Sequence, residues 1–277
     1  MKHFAKAALC GVYKYSGAMY AQEAVARVTG DSFLAVLLFH RVTDVIPEDG
    51  LTVGTKYFRN ICRMLRRSFN VVPLAEVMRL QRTRLPAPRR TVAITFDDCY
   101  RDNLFAARVL AEYGLPACFF VPTAFVGTDT VFDWDRGLVR MPNLTWDEIR
   151  EMADMGHEIG SHTVSHRDMA TMAVQEAQRE LVDSKKILEN QLGKPVRWFA
   201  YPFGGRNHFP LESVPLVTAA GYEACFSAHG GFIYPHLQQP IVPREPVPCF
   251  RSLLNLEVHL TGCLQWVYKV KRRVGLL

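Results

Sequence analysis

Two adjacent carboxylates end an apolar stretch at residues 91–98, whose sequence is TVAITFDD. The run of β-branched and apolar residues before Asp97 predicts a buried strand. Two neighbouring carboxylates repel each other and are costly to bury together, so such a pair usually needs a cation or a perturbed pKa. The alternative is that Asp98 caps a helix beginning near Tyr100. We favour an active-site strand because two histidines follow another predicted strand.

Strand-like and helix-like segments alternate along the rest of the chain. This alternation predicts an α/β fold in which a mostly parallel sheet is covered by helices. The polar residues of chemical interest follow predicted strands, as they do at the carboxyl-terminal face of a βα-barrel. These residues are His40, Asp97, Asp98, His162, His166 and the loop after Tyr201.

The size and composition favour one globular unit. The chain of 277 residues is long enough for one large α/β domain, and 49% of its residues are hydrophobic and 22% charged, which is ordinary for a globular protein. We predict a barrel domain over residues 31–250. A helical extension over residues 1–30 precedes it, and a basic amphipathic helix over residues 251–277 follows it.

The charge pattern restricts the class of partner. The formal net charge is +6, but the basic residues are dispersed rather than massed in one block. Dispersed positive charge suits an anionic partner, such as a phospholipid surface or a phosphorylated glycan, and predicts no nucleic-acid partner.

The cysteines and the N-terminal residues bear on the cellular compartment. The seven cysteines are irregularly spaced and form no CxxC pair, which is typical of free thiols in a reducing compartment. The apolar start of the chain is interrupted by Lys6 and Lys14, so we predict no signal peptide. No apolar run is long enough to span a membrane. We therefore expect a cytoplasmic protein, and the sequence predicts nothing about its oligomeric state.

Two histidines are four residues apart in the sequence SHTVSH at residues 161–166. On a helical turn, His162 and His166 would share a face, which suits two imidazole ligands of one metal ion. The alternative is a pair of exposed or hydrogen-bonded histidines. Together with an Asp at the end of a buried strand, they would form a site of two histidines and one carboxylate with open positions for water and substrate.

Three motifs together resemble those of the polysaccharide deacetylase (NodB-homology) family. They are TFDD at residues 95–98, SHTVSH at residues 161–166 and FAYPFG at residues 199–204. The resemblance extends over roughly residues 33–247. It implies a distorted (β/α) barrel of about seven strands and a metal-dependent N-deacetylase.

The resemblance also implies roles for individual residues. Asp97 would be the general base, next to a divalent metal that is most often Zn²⁺, with Co²⁺ and Ni²⁺ as alternatives. The backbone N–H of Phe203 would bind the oxyanion, in a substrate-binding loop that includes Tyr201 and Pro202. The metal ligands would be Asp98, His162 and His166.

The general acid has two candidate positions in the sequence. Many family members take it from a Leu-x-His motif near the C-terminal end of the domain, where this chain offers only His259 in the terminal helix. Leu38-Phe39-His40 has the pattern at the N-terminal side. A circularly permuted branch of the family carries its acid histidine there, followed by Arg-Val as in Arg41-Val42. We therefore predict His40 as the acid, the alternative being a strand-end histidine satisfied by local backbone.

Two features depart from the family pattern. The family has an Arg that orients the base Asp, and this chain has Ala200 at that position. Arg244 is our candidate for the missing guanidinium, the alternative being an ordinary surface residue. The Asp that partners the acid histidine is also not identifiable, with Asp44 and Asp135 as candidates.

The C-terminal segment allows two interpretations. Five apolar residues fall on one helical face, and four basic residues cluster beyond it. Such a helix can lie on the inner face of an anionic membrane. Alternatively, it can pack on the barrel with its basic end in solvent. On the membrane interpretation, the substrate is a lipid-linked amino sugar. The residues are Leu253, Leu256, Leu260, Leu264, Val267, Lys269, Lys271, Arg272 and Arg273.

These observations predict a hydrolase that removes the acetyl group from an N-acetylated sugar, which is polymeric, oligomeric or lipid-linked. One alternative is a non-catalytic module that binds a glycan or glycolipid. Another is an amidase or imidase that acts on a non-sugar substrate.

Overall fold

The computed structural model describes residues 10–28, 32–250 and 252–262. Residues 10–15 are helical, and the division of the chain into a helical extension, a barrel domain and a C-terminal helix stays a prediction. The strands are β1 Leu34–Phe39, β2 Arg41–Val42, β3 Thr52–Val53, β4 Asn70–Val71, β5 Thr91–Phe96, β6 Cys118–Val121, β7 Glu158–Ser161, β8 Trp198–Ala200, β9 Ala224–Phe226, β10 Ile241–Val242 and β11 Glu245–Pro246. The α-helices are α1 Ala18–Val28, α2 Thr55–Ser68, α3 Leu74–Thr83, α4 Asp102–Glu112, α5 Trp146–Asp154, α6 Val174–Leu192, α7 Val214–Ala219 and α8 Leu253–Leu260.

The central sheet is parallel throughout. Its order is β10-β9-β8-β7-β6-β5-β1-β11, and β4 also pairs with β5. A separate pair, β2 and β3, lies outside it. Every residue of β1 and β5 is buried, as expected for strands with both faces covered. Parallel pairing places all carboxyl ends of the strands at one edge of the sheet.

The two edges of the sheet come from one short segment. Only Pro243 and Arg244 separate β10 from β11. Since Val242 and Glu245 are three residues apart, their Cα atoms lie within about 11 Å of each other. The sheet must therefore curl until its edges almost meet, which confirms the predicted distorted (β/α) barrel.

The inner face of the barrel is filled at its amino-terminal end by α3. Leu74 and Val77 of this helix belong to one buried cluster with Val36 of β1, Phe120 of β6 and Trp198 of β8. The larger cluster lies between the outer face of the sheet and the surrounding helices. With the amino-terminal end filled, the carboxyl-terminal end is left for a site.

A capping box begins α5, with the Thr145 side chain and Glu148 as its members. The C-terminal helix differs from its prediction. The helix predicted from Leu253 to the C-terminus ends at Leu260, because Thr261 and Gly262 form a turn with φ +83° at the glycine. The basic residues 269–273 lie outside the described residues.

No helix in the described ranges has the length and apolar character needed to cross a membrane. The described cysteines are free thiols rather than disulfides. Those that are buried are Cys10, Cys62, Cys99, Cys118 and Cys225, and Cys249 is exposed.

Candidate active site

The two carboxylates and the two histidines meet at the carboxyl-terminal end of the barrel. Asp97 and Asp98 follow β5, and His162 and His166 follow β7. All four side chains are buried. Asp98 is not a helix cap, since α4 begins only at Asp102. The sequence motifs therefore belong to one site.

Asp98, His162 and His166 form a compact set of ligand atoms. Asp98 Oδ1 lies 3.1 Å from His166 Nε2 and 3.5 Å from His162 Nε2. The two Nε2 atoms are 3.2 Å apart, and one ligand atom from each residue lies within 4.8 Å of the others. Two imidazoles and a carboxylate suit a borderline divalent ion such as Zn²⁺. The donor set therefore fits the metal that the family implies.

A hydrogen bond fixes the orientation of one of these histidines. His162 Nδ1 lies 2.8 Å from the carbonyl oxygen of Ala200. A ring nitrogen facing a carbonyl must carry the proton, so Nε2 is left unprotonated when the ring is neutral. Ala200 thus supports the site through its backbone, although the family has an arginine side chain at this position.

The backbone of the site is unusual. Of the seven non-glycine residues with positive φ in the described chain, five lie in this site. Strained dihedral angles of this kind cluster at functional sites. The prediction of a helical turn for the histidine pair is wrong, because residues 162–166 form a non-helical loop. The five residues are Asp98, Cys99, Thr163, His166 and Phe203.

Arg244 forms a bidentate ion pair with Asp97. Its Nη1 and Nη2 each lie 2.7 Å from one carboxylate oxygen of Asp97. The guanidinium also donates to the Ser227 carbonyl at 2.7 Å and lies 3.3 Å from Thr95 Oγ1. Arg244 is fully buried, so it is not a surface residue. It lies between β10 and β11, where the edges of the sheet almost meet.

The charges of the site keep both carboxylates ionised. Burial alone would raise the pKa of Asp97, but Arg244 and His162 outweigh it and lower that pKa. Burial opposes ionisation of Asp98 as well, yet hydrogen bonds from His162 and His166 hold its pKa well below the usual value. Burial would lower the pKa of His162, but the neighbouring carboxylates raise it.

His40 lies at the end of β1, in the electrostatic field of this site. Burial lowers the pKa of His40, and the charges of Asp98 and Asp97 act in the opposite direction. Its carbonyl oxygen accepts a hydrogen bond of 2.6 Å from Asn103 Nδ2. Its Nδ1 is buried and has no hydrogen-bond partner among the described residues.

Neither candidate Asp orients His40. Asp44 accepts a hydrogen bond from the backbone N–H of Thr55, at the start of α2. Asp135 pairs with Arg41 and accepts a hydrogen bond of 2.5 Å from the Tyr100 hydroxyl. The role of His40 as general acid stays a prediction.

The loop after β8 contains the three residues that the resemblance assigns to substrate binding: Tyr201, Pro202 and Phe203. The N–H of Tyr201 donates to Phe226 at 3.0 Å, and its hydroxyl is engaged by Ser213 at 2.8 Å. Pro202 has no N–H. The N–H of Phe203 has no acceptor among the described residues, and its ring centroid lies 5.2 Å from that of His166. Of Tyr201, Pro202 and Phe203, Phe203 is therefore the residue whose backbone N–H is open to a substrate.

Sequence reasoning missed the aromatic residues around the candidate metal ligands. The ring centroids of Phe132 and Trp134 lie 5.1 Å and 5.4 Å from that of His166. They belong to the long loop before α5, which the sequence indicates only as polar and aromatic. His208 was missed as well, and its ring centroid lies 5.3 Å from that of Phe203. The only signal was aromatic residues within otherwise polar loops.

A family model described as "Polysaccharide deacetylase" matches residues 84–224, which is just over half of the chain. The chain belongs to the polysaccharide deacetylase family. The matched segment contains both carboxylates and both histidines of the site, but neither His40 nor Arg244. Assignment to the circularly permuted branch stays a prediction.

Similar proteins have names that agree with this family. A putative polysaccharide deacetylase, YxkH of Bacillus subtilis (strain 168), is 28% identical over 193 residues, which cover 69% of this chain and 62% of the relative. A chitooligosaccharide deacetylase of Sinorhizobium fredii (strain NBRC 101917 / NGR234) is 30% identical over 118 residues, covering 41% of this chain and 47% of the relative. The chain thus spans about three fifths or less of these relatives.

Solved structures share the fold. The deacetylase PplD of Streptococcus pyogenes, in complex with acetate, has a TM-score of 0.69 at 22% identity, covering 81% of this chain and 96% of PplD. IcaB from Ammonifex degensii has a TM-score of 0.68 at 22% identity, covering 83% of this chain and 97% of IcaB. At this identity, the likeness concerns the fold alone.

Proposed function

We propose that this protein is a metal-dependent hydrolase that removes the acetyl group from an N-acetylated glycan and releases acetate and a free amine. The observation that carries this proposal is the bidentate pair of Asp97 and Arg244 beside three buried metal ligands. A non-catalytic glycan-binding module would have no use for an ionised carboxylate held in this position. The names of the relatives also support deacetylation of glycans.

Asp98, His162 and His166 would hold the metal, for which Zn²⁺ is our first choice. When bound, the ion polarises the acetamide carbonyl and lowers the pKa of a bound water. Since His162 carries its proton on Nδ1, its Nε2 lone pair is available as a ligand. The aromatic rings around His166 exclude bulk water from this side of the site.

Asp97 accepts the proton of the attacking water. Arg244 keeps this carboxylate ionised and fixes its plane, so an oxygen is ready to receive the proton. The water oxygen attacks the carbonyl carbon of the acetamide. Phe203 N–H donates to the carbonyl oxygen as it gains negative charge. His40, in its protonated imidazolium form, then donates a proton to the sugar nitrogen as the carbon–nitrogen bond breaks, which leaves His40 neutral.

The glycan is polymeric, oligomeric or linked to a lipid. Contact with an anionic membrane surface would involve the basic residues 269–273, which lie outside the described residues. This contact and a cytoplasmic location therefore stay predictions.

An acetate-release screen tests the proposal. Metal-replete protein is assayed on N-acetylated oligosaccharides, lipid-linked N-acetyl sugars and non-sugar amides and imides, with and without chelator. We expect release from a sugar substrate, loss of activity with chelator, and about one metal ion per chain. Asp98→Ala should lose the metal, whereas Asp97→Asn should keep it and lose activity. Metal-free protein with full activity, or metal-loaded protein that acts only on non-sugar amides, would refute the proposal.

A further inference from the structure

Three rings form a strip that leads outward from the metal ligands. We call Trp134, Phe203 and His208 the aromatic strip. The centroids of Trp134 and Phe203 are 5.7 Å apart, and those of Phe203 and His208 are 5.3 Å apart. His166 is 6% exposed, whereas Phe203 is 47% exposed and the His208 side chain 40%. The strip therefore connects the buried site with solvent.

Hydrogen bonds fix both ends of the aromatic strip. At the inner end, Trp134 Nε1 donates to the Tyr100 hydroxyl at 3.1 Å. At the outer end, His208 Nδ1 lies 2.6 Å from Asp168 Oδ2, and the other oxygen of Asp168 accepts the backbone N–H of Ala170 at 2.9 Å. His208 Nε2 makes no hydrogen bond with any described residue. One polar atom is thus left open at the outer end.

The turn after Phe203 sets the position of the His208 ring. The N–H of His208 donates to the carbonyl of Gly205 at 2.9 Å. A Cβ at Gly205 would lie only 3.1 Å from His208 Cδ2, so the imidazole packs closely on the glycine backbone. A ring held in this way loses little freedom when a ligand binds, which favours affinity.

We propose that the aromatic strip and His208 Nε2 bind the sugar unit next to the one that is deacetylated. This inference rests on the proposed function and narrows its substrate to a glycan of two or more units. Sugar-binding surfaces need apolar faces for the carbon–hydrogen side of the ring and a few fixed polar atoms for the hydroxyl groups. Asp168 takes the Nδ1–H, so a neutral His208 presents Nε2 as an acceptor for a sugar hydroxyl.

The kinetic test compares substrates of different length. For the wild type, KM should fall from an N-acetylated single sugar to the corresponding oligosaccharides. His208→Ala should raise the KM for oligosaccharides by about three- to tenfold, the effect of one lost hydrogen bond, with little change in kcat. Asp168→Ala should also raise the KM for oligosaccharides, because the His208 imidazole loses the hydrogen bond that fixes its orientation.

His236→Ala is a matched control. His236 is exposed, and its ring contacts Tyr234, whose own ring contacts Phe33 at the amino-terminal end of β1. It therefore lies at the opposite end of the barrel, and its removal should leave the dependence on substrate length unchanged. A wild-type KM that is equal for single sugars and oligosaccharides would overturn the inference. So would a His208→Ala protein that retains the full advantage of the longer substrates.

A binding measurement separates this inference from the proposed function. Calorimetry with the oligosaccharides and Asp97→Asn protein, with or without His208→Ala, needs no turnover. Weaker binding in the His208→Ala background by about three- to tenfold would support the strip even if no acetate were released. If the wild type releases acetate but the oligosaccharides bind equally to Asp97→Asn protein with and without His208→Ala, the proposed function is retained. The aromatic strip is then rejected as a binding site.

Discussion

We propose that Arg244 takes the place of the arginine that the family resemblance implies where this chain has Ala200. The guanidinium reaches Asp97 from the segment between β10 and β11 and makes two hydrogen bonds of 2.7 Å to it. Because the third hydrogen bond goes to the Ser227 carbonyl, the plane of the guanidinium is fixed by the backbone immediately after β9. A lysine could supply the charge but not this planar fork.

Arg244→Lys should therefore reduce kcat/KM by about 10²-fold, as expected when a catalytic group is misplaced by about 1 Å. The metal content should not change, because Arg244 does not contact the three ligands. Steady-state kinetics and metal analysis test this, with Arg63→Lys, at an exposed position in α2, as a control for the exchange itself. Unchanged kcat/KM would show that Asp97 does not need the two hydrogen bonds from a guanidinium in order to act.

Asp102 is a second residue with an unusual environment. It starts α4, and burial raises its pKa from the ordinary value of 3.8 to about 7. One of its carboxylate oxygens has no hydrogen-bond partner among the described residues. Because the pKa of Asp102 is higher in the folded than in the unfolded state, this carboxyl group contributes to the unfolding free energy. The contribution is fully present below about pH 4 and is lost as the pH rises through 7.

Asp102→Asn should remove this pH dependence. Between pH 4 and 8, the wild type should lose up to about 4 kcal/mol of unfolding free energy relative to the variant. Urea titrations at several pH values, with chelator present to remove the contribution of metal binding, measure the difference. Asp147→Asn, at an exposed position in α5, should follow the wild type. Parallel curves for Asp102→Asn and the wild type would exclude a buried neutral carboxyl group.

At the scale of elements, a buried ion pair joins β2 to the long loop before α5. Arg41 is 1% exposed and Asp135 is 6% exposed, and the same carboxylate accepts the Tyr100 hydroxyl. Tyr100 in turn accepts the indole N–H of Trp134. This network holds the loop before α5 against His166. Its members are far apart in the sequence, so no local pattern could predict it.

Asp135→Ala should destabilise the protein by about 3–5 kcal/mol, because it leaves the Arg41 guanidinium buried without its main partner. Asp133→Ala is the matched control, since Asp133 lies in the same turn but pairs with Arg136 at the surface. Denaturant unfolding compares the two variants. Equal stability of both would mean that Asp49, the other partner of Arg41, is sufficient.

The loop after β8 depends on a glycine. Gly204 has a φ of +56°, and a Cβ there would lie 2.5 Å from the backbone nitrogen of Ala228. Gly127 has a φ of +69° but open space around the position of a Cβ. Gly127→Ala should therefore cost only the dihedral strain, about 1 kcal/mol, whereas Gly204→Ala should cost more and displace the N–H of Phe203. Equal unfolding free energies would contradict this account.

At the scale of the molecule, the metal would connect the ends of β5 and β7. A bound ion should stabilise the fold by about 4 kcal/mol when its free concentration is a thousand times the dissociation constant. Chelator should therefore lower the melting temperature of the wild type measured by calorimetry. His166→Ala should melt at the same temperature with and without chelator. If neither metal nor chelator changes the melting temperature of the wild type, these residues do not form a metal site.

The parallel barrel and four site residues could be predicted from the sequence because they depend on local patterns. The buried strand before Asp97 and the spacing of His162 and His166 are visible in short windows. The pairing of Arg244 with Asp97 spans 147 residues, and only the curvature of the whole sheet brings the two together. The helical turn expected for the histidine pair was wrong because Thr163 and His166 have positive φ angles, which a right-handed α-helix does not allow.

The segment that joins the two edges of the sheet has a consequence for the order in which the protein becomes active. During synthesis, the chain carries all three candidate metal ligands once His166 has been made, but Arg244 emerges much later. If the proposed function holds, Asp97 has no such guanidinium partner until β11 pairs with β1, so we expect the base to be neither oriented nor strongly ionised before then. A partly made or partly unfolded chain would then carry the three candidate ligands without hydrolytic activity. Hydrolysis would begin only when the last strand of the barrel is in place.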